Sequence, residues 1–324
     1  TGRPLYSQRM AWWHLVIFLG TGLLVIVSYL MGRFGGREYW EFPPVLGIPI
    51  AVGWLLLVYN FFRTVSLRAG PWPAYLWMWA VGIVFFLLTF TEAHLYLFPG
   101  FSGNAVRDLT VQWKAYGALT GSWNMLVYGT SMVVMERMGG DRSVALSRTA
   151  FLLFALGFTN LLFGWAHHIY PVPAAPWLRI LAYFVSMTEW IILARMIRQW
   201  RGTLNAGMEQ RHSLTHLFLF ASEVWVFLNL FLALLISIPA INLFTHGTHI
   251  TVAHAMGSTI GINTTILFAS VFHIGGAALT RPARTGFWIF NGSLLVFWLC
   301  LIGAGLVKGW LTVTTDMVFQ SIME

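Results

Sequence analysis

The sequence predicts an all-α, polytopic transmembrane bundle of about nine spans, on three observations. The composition is 58% hydrophobic and only 9% charged over 324 residues, against the roughly 25% charged residues of a soluble domain. Apolar runs of membrane length recur along the chain. The basic residues fall between those runs rather than in one patch, as the positive-inside rule expects.

The expected spans are 10–32, 45–66, 73–97, 109–136, 147–170, 176–198, 213–241, 248–275 and 285–309. Their connections are short and carry the punctuation, with Gly35-Gly36, Pro43-Pro44, Pro71 and Pro73, Gly139-Gly140, Pro171 to Pro176, Arg201-Gly202 and Pro282. No low-complexity linker separates them, so residues 1–324 read as a single transmembrane domain. Thirteen arginines, from Arg3 and Arg9 to Arg281 and Arg284, fall on one side, against Arg33, Arg37, Arg107, Arg179 and Lys308 on the other. That asymmetry predicts a cytoplasmic N-terminus in a multi-pass membrane protein. The start at Thr1, with no methionine and no signal pattern, predicts a processed or incomplete chain.

Charge and cysteine content exclude several classes. The net charge of +8 is spread through the connections, which argues against nucleic acid and for contact with membrane lipids. The single cysteine, Cys300, excludes an internal disulfide, an iron–sulfur cluster and a thiolate zinc site. Any metal is held by nitrogen and oxygen.

Two polar stretches interrupt the apolar pattern, Trp165-Ala-His167-His168-Ile-Tyr-Pro171 and Thr245-His-Gly-Thr-His249-Ile-Thr-Val-Ala-His254-Ala-Met256-Gly257. Five of the ten histidines lie in them. Imidazole in hydrocarbon is costly unless paired or coordinated, so these are functional-site candidates. Adjacent His167 and His168 read either as an interfacial pair facing headgroups or as two nitrogens turned to one cation where the helix relaxes before Pro171. His254 sits among Ala253, Ala255, Gly257 and Ser258, which either let helices approach closely or leave room for a planar macrocycle. The depth expected from the spans puts all three imidazoles in the outer half of the membrane, with Glu92, His94, Glu38 and Glu41. Glu189 and Glu223, inside the sixth and seventh spans, read as proton-relay carboxylates or as protonated packing residues.

At these residues the chain resembles the large, catalytic subunit of bacterial nitric oxide reductase, of the haem–copper oxidase superfamily. The resemblance rests on Thr245-His-Gly-Thr-His-Ile-Thr-Val-Ala-His254 together with Ala11-Trp-Trp-His-Leu-Val-Ile-Phe-Leu-Gly-Thr21, Gly36-Arg-Glu-Tyr-Trp-Glu41, His167-His168 and Phe184-Val-Ser-Met-Thr-Glu189, in that family's order.

The resemblance implies a haem–copper oxidase subunit I-like fold. It implies His254 as proximal ligand of a high-spin haem b, His167 and His168 as ligands of a facing non-haem iron, Glu38 and Glu41 as loop carboxylates near a calcium site, and Glu189 beside the active site. The implied reaction reduces NO to N2O within an electron-transfer complex. The alternatives are a non-catalytic structural or haem- or quinone-binding subunit, and NO dismutation or oxygen reduction at the same site.

Two departures qualify this. The family's fourth-span His-x-x-x-Glu motif has no histidine here: an ungapped register places Ala115 and Leu119 there, while Asn124-Met-Leu-Val-Tyr128 is the other reading and makes Asn124 and Tyr128 site candidates. Met256 stands where the family has the low-spin haem's histidine, and the family's first two helices and its last have no counterpart. Together these imply a low-spin haem that is absent or shared with another chain, other membrane subunits that supply helices, and a cytochrome c-type or quinol electron donor.

Overall fold

A computed structural model describes the chain except residues 1–3, 38, 142, 171, 174, 186, 188–197, 199–212 and 318–324. Glu38 and Glu189 lie outside the described residues. The described chain is helical, with a single isolated β-bridge, Arg37 to Trp40, and no strand. Seven helices are long and apolar enough to cross a membrane: Gln8–Leu30, Pro44–Ser66, Ala74–Leu97, Arg148–Ile169, Ser213–Ser237, His249–Gly275 and Arg281–Thr314. The polytopic bundle is therefore the fold. The fourth expected span forms as the long helix Ala105–Gly139, whose Asp108, Gln112 and Lys114 make its N-terminal third polar. Of the sixth, the described part is the apolar helix Pro176–Val185.

The chain divides into two compact units, residues 1–126 with 157–173, and residues 127–156 with 174–324. In the first unit the opening helix starts at Ser7, whose hydroxyl accepts from Met10 N at 3.2 Å. Asn60 holds the same residue from the next helix, its Oδ1 accepting from Ser7 N and its Nδ2 donating to Ser7 O. The two helices close up where Gly53 offers no side chain, and the Gly53 carbonyl lies 2.7 Å from His14 Nδ1. Trp54 then stacks on Phe86 with ring centroids 3.9 Å apart and donates from Nε1 to Ile83 O, so its polar edge is satisfied within the core. The outward faces of the Gln8–Leu30 helix, with Trp12, Trp13, Leu19 and Leu23 exposed, suit lipid rather than water.

In the second unit Leu214, Phe218 and Leu219 pack with Val134, Met135, Met138, Ala269 and Phe287. Three departures from the expected spans appear here and in the fifth helix. The seventh span stops at Ser237 and restarts as Pro239–Thr245, because Pro239 cannot continue the hydrogen-bond ladder and sits in the first turn of the new helix. The eighth is not uniform: α-helix His249–Met256 widens into a π-helix over Gly257–Thr264 and narrows again over Thr265–Gly275. The fifth tightens from α-helix to 3₁₀ at Gly164–Ile169.

Candidate metal and haem site

In the first unit the two adjacent histidines are carried on the 3₁₀ segment Gly164–Ile169. Their rings lie side by side, with centroids 4.1 Å apart and planes tilted by 38°. Trp113 of the Ala105–Gly139 helix stacks flat on His168, with centroids 5.4 Å apart and planes 11° apart. One turn further along that helix, Gly117 makes the approach possible. A Cβ there would come within 2.8 Å of Trp165 Cα and 3.4 Å of His168 Cδ2. Gly121, another turn on, meets Leu161 in the same way. The two helices thus run antiparallel in close contact, with the glycine face of one under the histidine-bearing end of the other.

This register places Asn124. Met125 lies against Gly157, so Asn124 is some two turns, about 10 Å, along the helix from the His168 level. Trp113 and Gly117, not Asn124, face the histidine pair. Sequence reasoning missed them, although Gly117 and Gly121 at helical i, i+4 spacing were readable as a close-packing face. Among the described residues no three His, Cys, Asp or Glu side chains cluster closely enough to hold a metal ion. His167 and His168 are a two-nitrogen set.

Around this pair the outer end of the unit is aromatic and polar. Trp40 stacks on Tyr116 at 5.0 Å and donates to His94 Nε2 at 3.1 Å. Tyr39, at φ 63°, sits edge-on to both Trp113 and Tyr116. Such a conformation is costly for a residue with a Cβ, and here the surrounding rings hold it. The Glu41 carboxylate accepts from Tyr39 N at 2.8 Å, which folds the loop back on itself. Arg37 donates to Asp108 at 3.0 Å and lies over the Tyr96 ring. Burial works against the Arg37 charge, but hydrogen bonding and charge attraction from Asp108 and Tyr116 together outweigh it and hold the guanidinium pKa above its ordinary value. Glu92 pairs with Lys114 in the same region.

In the second unit the threonines of Thr245-His-Gly-Thr-His-Ile-Thr are local structure. Thr248 caps the His249–Met256 helix by accepting from Ile250 N, and the Thr248 and Thr251 hydroxyls both donate to Thr245 O. Gly247, at φ 71°, makes the turn that precedes them. Lys308, 5% exposed, donates to the Gly247 carbonyl and ties the turn to the last long helix. His254 follows two turns beyond Gly247. Its Nδ1 is buried and has no hydrogen-bond partner, the main chain of Asn229 adjoins the ring, and the residue as a whole remains partly accessible. Met256, two residues on, projects about 200° around the helix from His254 and so addresses a different neighbour.

The small residues beside His254 resolve into two groups. Gly257 and Gly261 serve close helix packing: a Cβ at Gly257 would fall on the Asn229 amide, and one at Gly261 on the Trp225 indole. Ala253 is fully buried, while Ala255 and Ser258 keep some exposure. Glu223, 4% exposed, lies on the Ser213–Ser237 helix that provides Trp225 and Asn229. Tyr128 belongs to this second unit and Asn124 to the first.

The fold and the two histidine-bearing segments define a polytopic membrane bundle, and comparison with known proteins gives the family. The chain matches the family "Cytochrome C and Quinol oxidase polypeptide I" over residues 1–324 and belongs to it. The family is that of the haem–copper oxidase subunit I proteins, membrane subunits that bind haem.

Among its relatives are a nitric oxide reductase subunit of Stutzerimonas stutzeri, 23% identical over 99% of this chain and 72% of that protein, and the Cbb3-type cytochrome c oxidase subunit CcoN1 of the same organism, 23% identical over 92% of this chain and 64% of that one. Cytochrome c oxidase subunit 1 of Rhodobacter capsulatus is 24% identical over 93% of this chain and 58% of its own length. The chain thus spans less than two thirds of these two oxidase relatives.

Proposed function

We propose that this chain is a nitric oxide reductase-like membrane subunit that holds a high-spin haem b at His254 and a non-haem metal at His167 and His168, and that it reduces NO within a larger electron-transfer complex. The observation that carries the reading is the pair of imidazoles side by side at 4.1 Å, held by the Trp113 stack and the Gly117 contact. Two rings so placed suit one soft-to-borderline cation better than they suit a headgroup interface.

The donor chemistry fits each group to a different degree. His254 lies against the main chain of Asn229 and remains partly accessible, as an axial imidazole ligand needs. The bound haem would supply an iron that receives electrons and binds NO. His167 and His168 supply two nitrogens, so a metal there would complete its coordination with water, substrate or a residue beyond the described ones. Glu41, with Glu38, is proposed as the loop carboxylate set for calcium. Met256 points away from His254 and is the proposed contact to a second haem, shared with another chain. Glu189 and Glu223 are proposed as proton carriers to the site, Glu223 because a carboxylate buried in a membrane helix is retained only at a cost.

The overall reaction takes two NO, two electrons and two protons to N2O and water. The chain's part is to fix the two imidazole sets and exclude bulk water, with proton delivery along buried carboxylates. The N-terminus is proposed to be cytoplasmic and the membrane to be the bacterial inner membrane. Other membrane subunits and a cytochrome c-type or quinol donor complete the complex.

The oxidase relatives and the two-histidine metal set favour a second reading, oxygen reduction or a non-catalytic haem-binding subunit. Purified complex containing this chain is assayed for haem absorption, for non-haem iron and for turnover with NO and then with O2. Haem, iron and N2O formation support the reductase. Haem with oxygen uptake and no N2O supports the oxidase, and haem with neither activity the scaffold.

A further inference from the structure

Within the second unit, two buried polar atoms aim at one spot on the π-helix. Asn229 on Ser213–Ser237 is 3% exposed and Trp298 on Arg281–Thr314 is 7% exposed. Asn229 Oδ1 and Trp298 Nε1 are both buried and have no hydrogen-bond partner among the described residues. A Cβ placed on Gly257 would fall on Asn229 Oδ1 and come 3.0 Å from Trp298 Nε1. An acceptor and a donor therefore converge on the first residue of the π-helix from opposite helices. The neighbouring indole is satisfied differently: Trp225 Nε1 donates to Asn291 Oδ1 at 3.1 Å, and Asn291 Nδ2 donates to Phe287 O.

Indole N–H only donates and the amide oxygen only accepts. Leaving either unpaired in hydrocarbon is costly. A molecule that accepts from one and donates to the other removes both penalties, and the smallest that does so is water, which needs two to four polar partners and little volume. The π-helix offers a reason for such a site here. Its wide turn displaces the backbone from the regular ladder, and its other irregularities are met by hydroxyls, Thr264 Oγ1 donating to Thr259 O and Thr265 Oγ1 to Ile260 O, each five residues back.

We propose that Gly257 marks a buried hydration site in which one water accepts from Trp298 Nε1 and donates to Asn229 Oδ1, pinning the start of the π-helix one turn from His254. Because the main chain of Asn229 also adjoins the His254 ring, the bound water fixes the segment that presents that imidazole. Asn229 and Trp298 are positioning residues. The site does not depend on the occupancy of His254, so it stands or falls separately from the proposed activity.

The test is a density map of the unmodified complex at a resolution that reveals internal water, paired with a double-variant cycle. The expected map holds a single oxygen within hydrogen-bonding distance of both Trp298 Nε1 and Asn229 Oδ1. Asn229→Leu and Trp298→Phe each lower the apparent unfolding temperature by several degrees, and the double variant loses less than the sum, since it leaves no orphaned partner. A direct Nε1 to Oδ1 contact, an empty gap between them, or strictly additive losses would overturn the proposal.

Discussion

The indole of Trp113 lies flat on the imidazole of His168, 55 residues away in sequence, and the two planes differ by only 11°. A ring held this way has lost most of its rotational freedom before any ligand arrives. An aromatic contact of this kind is worth about 0.5–1.5 kcal/mol beyond its buried area. Trp113→Leu should therefore weaken metal retention at the histidine pair by up to about tenfold, and Trp113→Phe should restore much of it. Iron content per chain after dialysis against a chelator reads the difference.

Gly117 is the second support of the pair. Gly117→Ala pushes a methyl into Trp165 and should destabilise by about 1–3 kcal/mol, the usual range for overpacking. Gly100→Ala, where nothing lies within 4 Å, is the control and should be close to neutral. Thermal unfolding in detergent compares the two.

The two ion pairs of the outer region should differ in weight. Arg37 and Asp108 have side chains 11% and 24% exposed, Lys114 and Glu92 37% and 25%. Arg37→Gln strands a partly buried carboxylate and gives up the contact with Tyr96, so it should cost about 2 kcal/mol or more. Lys114→Gln removes a cation that is itself more exposed and better screened than Arg37, so it should cost under about 1 kcal/mol. Unfolding midpoints at low and high salt check both the order and the greater salt sensitivity of the Lys114 pair.

His246, in the turn between Pro239–Thr245 and His249–Met256, has its pKa lowered by burial. A histidine whose folded pKa is depressed binds fewer protons folded than unfolded between the two values, so stability rises with pH in that window. It should be fully retained above the ordinary value near 6.5, fall as pH drops through it, and level off below the depressed folded value. His246→Gln should flatten that part of the profile. Unfolding temperature measured from about pH 5 to 8 in both proteins checks the sign, and parallel profiles would contradict it.

The bundle was legible in the sequence because hydrocarbon imposes length and composition on every span, whereas the break at Pro239 inside the seventh expected span was not read there. The π-helix was not legible: Gly257 to Thr264 carries no local signal for widening, and its shape is set by Trp225, Asn229 and Trp298 from two other helices. The histidine stretches stood out as polar residues in apolar runs, but Trp113 did not, because its role comes from a contact between residues far apart in the chain. Asn124 was a site candidate in one of two registers against a motif, and the sequence does not show that it lies about two turns along its helix from Gly117. The threonines before His254 cap and brace one turn, a role set by local hydrogen bonds.

The most direct test of the central claim is the optical and resonance Raman spectrum of the complex containing this chain, unmodified and with His254→Ala, with His249→Ala as the neighbouring control. The account predicts a high-spin haem whose iron–histidine signal disappears in His254→Ala and persists in His249→Ala. A haem spectrum unchanged by His254→Ala, or no haem in the unmodified complex, would contradict it.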